Sequence, residues 1–373
     1  MVIEPAGPSD TSIQERDTSP ETFFETAYRI FQKAEQTTGV SIERFYNIGG
    51  HSMRLCLAGS SLIPSFIQAI EHLKTEPVLK PALTVCIWDD VSTHTRMPPP
   101  PWGKYTVFNP NGDMQSVYTR RGDVRGFNND RICTAYNWSA AALSMLDKRN
   151  NLALYWTYDA RQLPSYEISA PLRTILHWWM NRHGLQFVHS GAVGTSRGGV
   201  LLAGKGGSGK STTVLSCLSK DMLYVSDDYC LIAADPVPYA YSIYSSAKLN
   251  ADNIQRVPHL MPTLSNRDCM DKEKAVFFLY PYFAKKIATG FPVRAILLPR
   301  ISGGTKTTLT PASPMEALKA LALSTMSQLA RAGRESVQIM HLFVHQVPCC
   351  YHLDLGTDLT RIPNVIGGLI NEQ

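Results

Sequence analysis

The apolar positions between residues 185 and 226 form short runs separated by glycine-rich turns. The run Leu185–Gly194 predicts a strand, segment 196–199 predicts a hairpin turn, and Val200–Ala203 predicts a second strand paired with the first. A helix is expected over Ser211–Leu218 and a further short strand over Met222–Ser226. Strands that alternate with helices in this way favour an α/β fold.

The first 160 residues have a different pattern, with short β-prone runs between turns. Residues 22–37 carry apolar side chains at helical spacing, although their aromatic residues also fit a strand followed by a turn. Leu83–Asp89 predicts a strand, as do segments 116–119, 131–136 and 151–156. This part of the chain is therefore expected to be a smaller α+β unit.

These patterns divide the chain into three parts. Residues 1–20 are rich in proline, serine, threonine and acidic residues and predict a flexible tail. Residues 21–160 form the N-terminal α+β domain, a candidate for binding a substrate or partner. Residues 161–373 form the domain that contains the glycine-rich loop, and helical spacing predicts that it opens with one helix over residues 166–184.

Composition narrows the class of protein. The chain has 373 residues, 44% of them apolar and 18% charged, with a net charge of +5 and scattered basic residues. No basic stripe of the kind that binds nucleic acid is present. No signal-peptide pattern and no membrane-spanning apolar run is seen, and the eight cysteines form no C-x-x-C pair. We therefore expect a cytoplasmic protein with reduced thiols and neither nucleic-acid nor membrane partners.

The loop at residues 204–211 reads Gly-Lys-Gly-Gly-Ser-Gly-Lys-Ser and matches the phosphate-loop pattern G-x-x-x-x-G-K-[ST]. Its glycines let backbone N–H groups turn toward phosphate oxygens, and the following helix presents its positive N-terminus. Lys210 is placed to reach the outer phosphates, and the Ser211 hydroxyl is placed to ligate Mg²⁺. The candidate nucleotide-binding residues are Gly204, Lys205, Gly206, Gly207, Ser208, Gly209, Lys210, Ser211 and Thr212.

Two adjacent carboxylates, Asp227 and Asp228, follow the strand that ends at Ser226. One helix and one strand separate them from the loop, which places them beside it in an open α/β sheet. Two carboxylates can divide the work, since one can hold Mg²⁺ and the other can accept a proton from a hydroxyl or water. An Asp-Asp-Tyr sequence is also ordinary turn chemistry, but next to a phosphate loop we favour the functional interpretation.

Two further residues are candidates. His189 lies on the strand predicted to pair with the strand that leads into the loop, although a lone histidine on a strand is more often structural. Lys248 follows a predicted strand and is able to reach a phosphate or a substrate, but a solvated lysine is at least as common.

Taken together, His189, the loop at 204–211 and Ser226-Asp227-Asp228 resemble the C-terminal domain of the HPr serine kinase family, whose fold is related to phosphoenolpyruvate carboxykinase. The resemblance covers residues 185–370. Its downstream part, with Lys248 and the helix start at Ser313, is similar to a divergent branch that includes lasso-peptide precursor kinases. The glycine-rich second motif of HPr kinases is absent, so the resemblance extends to the ATP-binding half and not to HPr as acceptor.

The resemblance implies a phosphate-loop kinase domain that uses ATP and Mg²⁺. Asp227 would be the base for the acceptor hydroxyl, Ser211 and Asp228 would lie on the metal side, and His189 would stand beside the transferred phosphate with Lys210. The expected activity is phosphorylation of a serine hydroxyl on a peptide or protein, with a precursor peptide as the favoured acceptor; a homo-oligomer is compatible with this assignment. The alternatives are an NTP-hydrolysing switch, a small-molecule kinase and a non-catalytic nucleotide-binding module.

Overall fold

The structure is a computed structural model that describes residues 18–102 and 114–372. Residues 1–17 of the predicted tail lie outside the described residues. Across residues 18–102 and 114–372 the chain has a mixed α/β fold built on two large sheets. The α-helices are α1 (Pro20–Thr38), α2 (Ile63–Phe66), α3 (Asp90–Thr93), α4 (Met114–Val117), α5 (Ser165–Ile168), α6 (Arg173–Asn181), α7 (Lys210–Cys217), α8 (Pro314–Met326), α9 (Arg334–Gln346) and α10 (Ile362–Glu372).

The first sheet has six strands in the order β1-β2-β3-β6-β5-β4. Strands β2, β3 and β6 run parallel to one another, while β1, β5 and β4 pair antiparallel with their neighbours. The strands are β1 (Ser41–Ile48), β2 (His51–Ala58), β3 (Leu83–Asp89), β4 (Ile132–Asn137), β5 (Ala142–Asp147) and β6 (Leu152–Thr157).

Helix α1 settles the alternative that the sequence left open for residues 22–37. Ser19 caps the helix by accepting a hydrogen bond from the backbone N–H of Thr22 (3.2 Å), and Gly39 ends it in the left-handed conformation. Its apolar side chains pack against the six-stranded sheet as one buried face. The strand predicted over 116–119 is wrong, because Ser116 and Val117 belong to the short helix α4.

The second sheet has nine strands, with the path β10-β8-β9-β15-β12-β11-β7; β17 joins β15, and β16 joins β17. A separate two-stranded sheet pairs β13 with β14. The strands are β7 (Gln186–Val188), β8 (Gly191–Thr195), β9 (Gly198–Leu202), β10 (Leu223–Ser226), β11 (Cys230–Ala233), β12 (Tyr239–Ser242), β13 (Ser246–Leu249), β14 (Ala275–Phe278), β15 (Gly290–Ile301), β16 (Thr308–Pro311) and β17 (Cys349–Leu355).

Strand β9 is buried on both faces, because helices cover both sides of the nine-stranded sheet. Val200 and Leu202 belong to the apolar cluster formed with α7 and α10, whereas Leu201 belongs to the cluster formed with α8 and α9. Alternate residues of one strand thus contact opposite helix layers. The loop that leaves β9 is therefore anchored in the middle of the sheet.

The single helix predicted over 166–184 is wrong, because the segment forms two helices, α5 and α6. Pro171 has no N–H to continue a helical ladder, and Leu172 takes a left-handed conformation with φ of 60°. The break turns α6 so that its buried side chains pack between the two sheets.

One apolar cluster connects the two sheets. It contains Leu55 and Ile87 of the first sheet, Phe187 and Leu231 of the second, and Trp179 of α6. All eight cysteines are free thiols, and six are buried. Across residues 18–102 and 114–372, none of the helices combines the length and the apolarity needed to cross a bilayer.

Candidate functional site

The glycine-rich loop joins β9 directly to α7. Gly207 and Gly209 have φ values of 78° and 103°, which side-chain-bearing residues rarely adopt. A side chain at Gly209 would also collide with Leu355 of β17. The space beside Gly206 and Gly207 is open, so the backbone there can approach a ligand closely. The sequence pattern and the observed strand–loop–helix geometry agree.

Lys210, the first residue of α7, is buried and folds back over the loop. Its ammonium donates hydrogen bonds to the carbonyl oxygens of Gly204 (2.6 Å) and Lys205 (3.2 Å). Burial lowers the pKa of Lys210, and the charges of Asp227 and Asp228 oppose that shift. The two carbonyl oxygens thus hold the lysine side chain at the loop.

Asp227 lies directly after β10 and is only 1% exposed. Its Oδ2 accepts a hydrogen bond from the backbone N–H of Lys248 (2.8 Å), while Oδ1 has no hydrogen-bond partner among the described residues. Burial, together with the charge of Asp228, raises the pKa of Asp227 to about 6; the Lys248 N–H and the nearby Ser211 hydroxyl act in the opposite direction. Asp227 is therefore a buried carboxyl beside the loop serine.

Asp228 contacts two nitrogen groups at once. Its Oδ1 lies 3.0 Å from Nε2 of His189, and its Oδ2 lies 2.6 Å from Nζ of Lys248. The second contact lacks the angles of a good hydrogen bond and is an ion pair. Burial works against ionisation of Asp228, but Lys248 and His189 outweigh it and hold the pKa of this carboxyl well below its usual range. Asp228 is consequently a carboxylate at neutral pH.

The sequence predicted that His189 lies on the strand that pairs with β9. This prediction is wrong. The run 185–194 breaks into β7 and β8, and His189 and Ser190 occupy the break. Strand β7 pairs with β11, and β8 pairs with β9. The backbone N–H of His189 instead donates to Oγ1 of Thr325 on α8 (3.0 Å). The break brings the imidazole to Asp228.

Gln328, just beyond α8, fixes the tautomer of His189. Its side-chain Nε2 lies 2.9 Å from Nδ1 of His189 and donates to the carbonyl of Ser324 (3.1 Å), while its Oε1 accepts a hydrogen bond from the Tyr229 hydroxyl. A carbonyl only accepts, so the Nε2 end of the amide must face His189. Nδ1 is then the acceptor, and the imidazole proton resides on Nε2 and is donated to Asp228.

A cavity of about 320 Å³ lies over the loop. Its lining includes nine of the predicted site residues: His189, Gly206, Gly207, Gly209, Lys210, Ser211, Thr212, Asp228 and Lys248. The other predicted residues, Gly204, Lys205, Ser208 and Asp227, do not line it. Asp228 lines the cavity and Asp227 does not, and the division of labour expected for the two carboxylates stays a prediction.

The sequence missed several residues of this cavity. Arg256 and Lys274 add two positive charges to its lining, and Ile301 and Leu355 add apolar side chains. Arg256 ends a short 3₁₀ segment, and Lys274 immediately precedes β14. Both residues occur in a polar stretch without a recognisable motif. Their positive charge was the only feature of the sequence that could have marked them as phosphate-binding candidates.

The residues beside the loop fit a magnesium ion. Mg²⁺ prefers hard oxygen ligands, and the Ser211 hydroxyl and the unpartnered buried Oδ1 of Asp227 provide such oxygens on the same side of the loop. Asp228 fits less well, because its two oxygens already face His189 and Lys248.

Comparisons with known proteins add little to this geometry. No protein-family model matches the sequence, and no curated protein matches it. Among solved structures, the chain is similar to the HPr(Ser) kinase/phosphatase from Coxiella burnetii, with 10% identity and a TM-score of 0.26, over 50% of this chain and 95% of that one. A likeness this distant carries no weight for function, which therefore depends on the site itself.

Proposed function

We propose that the protein is an ATP- and Mg²⁺-dependent phosphotransferase that phosphorylates a hydroxyl, most simply a serine of a peptide or protein. The observation that carries the proposal is one cavity bordered by the glycine-rich loop, by Lys210 and by the ionised Asp228. Phosphoryl transfer requires little more than positioned phosphates, balanced charge and an acceptor hydroxyl held in line.

The loop side of the cavity suits a nucleoside triphosphate. Lys210, Arg256 and Lys274 supply positive charge around the phosphates, and the open space beside the loop glycines lets backbone N–H groups approach them. The apolar side chains of Ile301 and Leu355 suit a nucleobase. Lys210 can exchange its two carbonyl acceptors for phosphate oxygens without leaving the loop.

For the two aspartates we propose the reverse of the roles that the sequence suggested. Asp227 and Ser211 would hold Mg²⁺, which when bound supplies the charge neutralisation that phosphate transfer needs. Asp228 would orient the acceptor hydroxyl in the cavity and take its proton. As the hydroxyl oxygen bonds to the γ-phosphorus of ATP, the bond from that phosphorus to the bridging oxygen would break, and ADP would leave with the electron pair of that bond. This assignment is supported by the burial of Asp227 and by the contacts of Asp228 with His189 and Lys248.

His189 and Lys248 would then act on Asp228 and on the transferred group. The Nε2–H of His189 and the ammonium of Lys248 keep Asp228 ionised and fix its orientation. Both also line the cavity, where they are placed to stabilise negative charge on a phosphoryl group in transit. The choice of a peptide acceptor, and of a precursor peptide in particular, rests on the family resemblance of the motif residues.

The test is an intact-mass assay of candidate peptides after incubation with the purified protein, ATP and Mg²⁺. A gain of one phosphate on a serine-containing peptide supports the proposal. Release of inorganic phosphate without any modified acceptor would instead indicate an NTP-hydrolysing switch. Binding of ATP with neither outcome would indicate a nucleotide-binding module.

A further inference from the structure

A second cavity, of about 260 Å³, lies between the first sheet and helices α5 and α6. It shares none of its lining residues with the cavity over the loop. Its wall is mainly polar, and the residues that matter here are Arg120, Arg121, Tyr155, Glu167, Arg173 and Gln328. A space of this size suits a small metabolite and not a folded partner.

A buried ion pair forms part of its wall. Glu167 is 7% exposed, and its Oε1 accepts a hydrogen bond from Nδ2 of Asn137 (2.5 Å) and lies 3.9 Å from a guanidinium nitrogen of Arg173. Burial raises the pKa of Glu167, and Arg173 and Asn137 oppose that shift. Burying such a pair is expensive unless its remaining polar groups find partners.

Two polar atoms of this wall have no such partner among the described residues. They are the hydroxyl oxygen of Tyr155, a side chain that is 3% exposed, and Nε of Arg173. Buried polar atoms in folded proteins are nearly always hydrogen-bonded, and those that are not call for a water or ligand. Both residues line the cavity, so a molecule bound there is the natural partner.

The charges select the kind of molecule. Three arginines and one glutamate line the cavity, which favours an anion. The side chain of Arg121 is held in place by hydrogen bonds from its guanidinium to the carbonyls of Met326 (3.2 Å) and Ala332 (2.7 Å). A carboxylate suits the arginines, and a hydroxyl or amino group suits Glu167. We propose that this cavity is a second binding site for a small carboxylate that also carries a hydroxyl or amino group.

The site is linked to His189 through one side chain. Gln328 lines the second cavity and also contacts Nδ1 of His189. A guanidinium nitrogen of Arg173 donates to the Tyr229 hydroxyl (2.9 Å), which in turn donates to Gln328. A ligand that orders Arg173 and Gln328 therefore tightens the hydrogen bond that sets the His189 tautomer. This regulatory role rests on the proposed function, whereas the binding itself does not.

The experiment is isothermal titration of the nucleotide-free protein with L-malate and with L-serine as probes at millimolar concentration. We expect at least one probe to bind. Tyr155→Phe and Glu167→Gln should weaken that binding about tenfold, the cost of one lost hydrogen bond in a buried site. Tyr155→Phe removes a hydroxyl that has no partner, so the variant should fold as well as the wild type.

Lys210→Ala is the matched control, because it alters the cavity over the loop and leaves the second cavity intact. Probe binding should be unchanged in this variant. The site is refuted if neither probe binds, if binding is equal in the wild type and in both wall variants, or if Lys210→Ala abolishes it. Failure of the peptide phosphorylation assay leaves all these outcomes unaffected, so the two proposals fail separately.

Discussion

The side-chain amide of Gln328 donates a hydrogen bond to Nδ1 of His189 over 2.9 Å, and this contact decides where the imidazole proton lies. The amide cannot turn over without placing its oxygen against the Ser324 carbonyl and its nitrogen against the Tyr229 hydroxyl. The proton on Nε2 then points at Asp228. A residue remote from the loop thus controls the cavity-facing carboxylate.

Replacing Gln328 by its isostere glutamate should place an acceptor carboxylate against Nδ1 of His189 in place of the donor amide. We expect the ¹⁵N shift of His189 Nδ1 to change, because this nitrogen no longer accepts a hydrogen bond from an amide at position 328. Phosphotransfer should fall by roughly tenfold, the effect of about 1.4 kcal/mol. Identical ¹⁵N shifts in the variant and the wild type would contradict the tautomer assignment.

Asp227→Asn should change the pH dependence of stability in the nucleotide-free and metal-free protein. The pKa of Asp227 is raised from 3.8 to about 6, so the folded state keeps a proton that the unfolded state loses. Wild-type stability from this group is therefore present below pH 4 and is lost as the pH rises to 6, by about 3 kcal/mol at most. The variant lacks this loss. The free energy of unfolding of the variant minus that of the wild type, measured in denaturant titrations, should therefore become more positive between pH 4 and 7.

The same variant separates the two assignments of the aspartates. If Asp227 holds Mg²⁺, Asp227→Asn should raise the Mg²⁺ concentration needed for half-maximal turnover, with a smaller effect on the rate at saturation. Asp228→Asn should lower the saturated rate and leave the Mg²⁺ requirement near the wild-type value. The opposite pattern would restore the roles expected from the sequence.

Asp228 and Lys248 should be coupled in stability. Asp228→Asn leaves the ammonium of Lys248, whose side chain is 14% exposed, without its ion pair, and we expect a loss of about 3 kcal/mol. The double variant Asp228→Asn with Lys248→Met should recover a large part of this loss, since it removes the stranded charge. Additive losses in a denaturant-based double-mutant cycle would contradict the coupling.

Lys210→Ala should weaken ATP binding by about tenfold or more, because a buried charge-assisted contact to phosphate is lost. Lys205→Ala is the matched control, since Lys205 belongs to the same loop but is exposed and does not line the cavity. Equal losses in the two variants, measured by isothermal titration, would indicate a general charge effect.

Gly209→Ala should destabilise the protein by at least about 1 kcal/mol, because its φ of 103° is strained for alanine and the added methyl meets Leu355. Gly206→Ala is the comparison, because nothing lies within 4 Å of a methyl group at that position. We expect the melting temperature to fall in the first variant only. A similar fall in both would mean that the loop is not locked against β17.

The local features of the site could be predicted because local sequence determines them. The loop at 204–211 needs glycines for its backbone conformation, and the strand before it and the helix after it have clear apolar patterns. The capped helix start at Ser313 is of the same kind, and its capping box is present.

The remainder depends on contacts between distant segments. Nothing in the apolar run 185–194 indicates that it breaks at His189, because at the break the backbone N–H of His189 donates to Thr325 on the distant helix α8. Gln328 and Arg173 have unremarkable sequence neighbourhoods, and their importance arises only where α6, α8 and β11 meet. The order of Asp227 and Asp228 relative to the cavity also depends on Lys248, 21 residues away.

The apolar cluster that contains Leu55, Phe187 and Leu231 joins the two sheets through one shared core. A fragment that begins at residue 161 would present the second-sheet part of that cluster to water and lose the β4–β6 wall of the second cavity. The phosphate loop is thus a local sequence motif, but the segment that carries it is not expected to fold as a separate fragment. Recombination that exchanged the N-terminal sheet would have to rebuild this contact surface as well, so the two halves are constrained to evolve together.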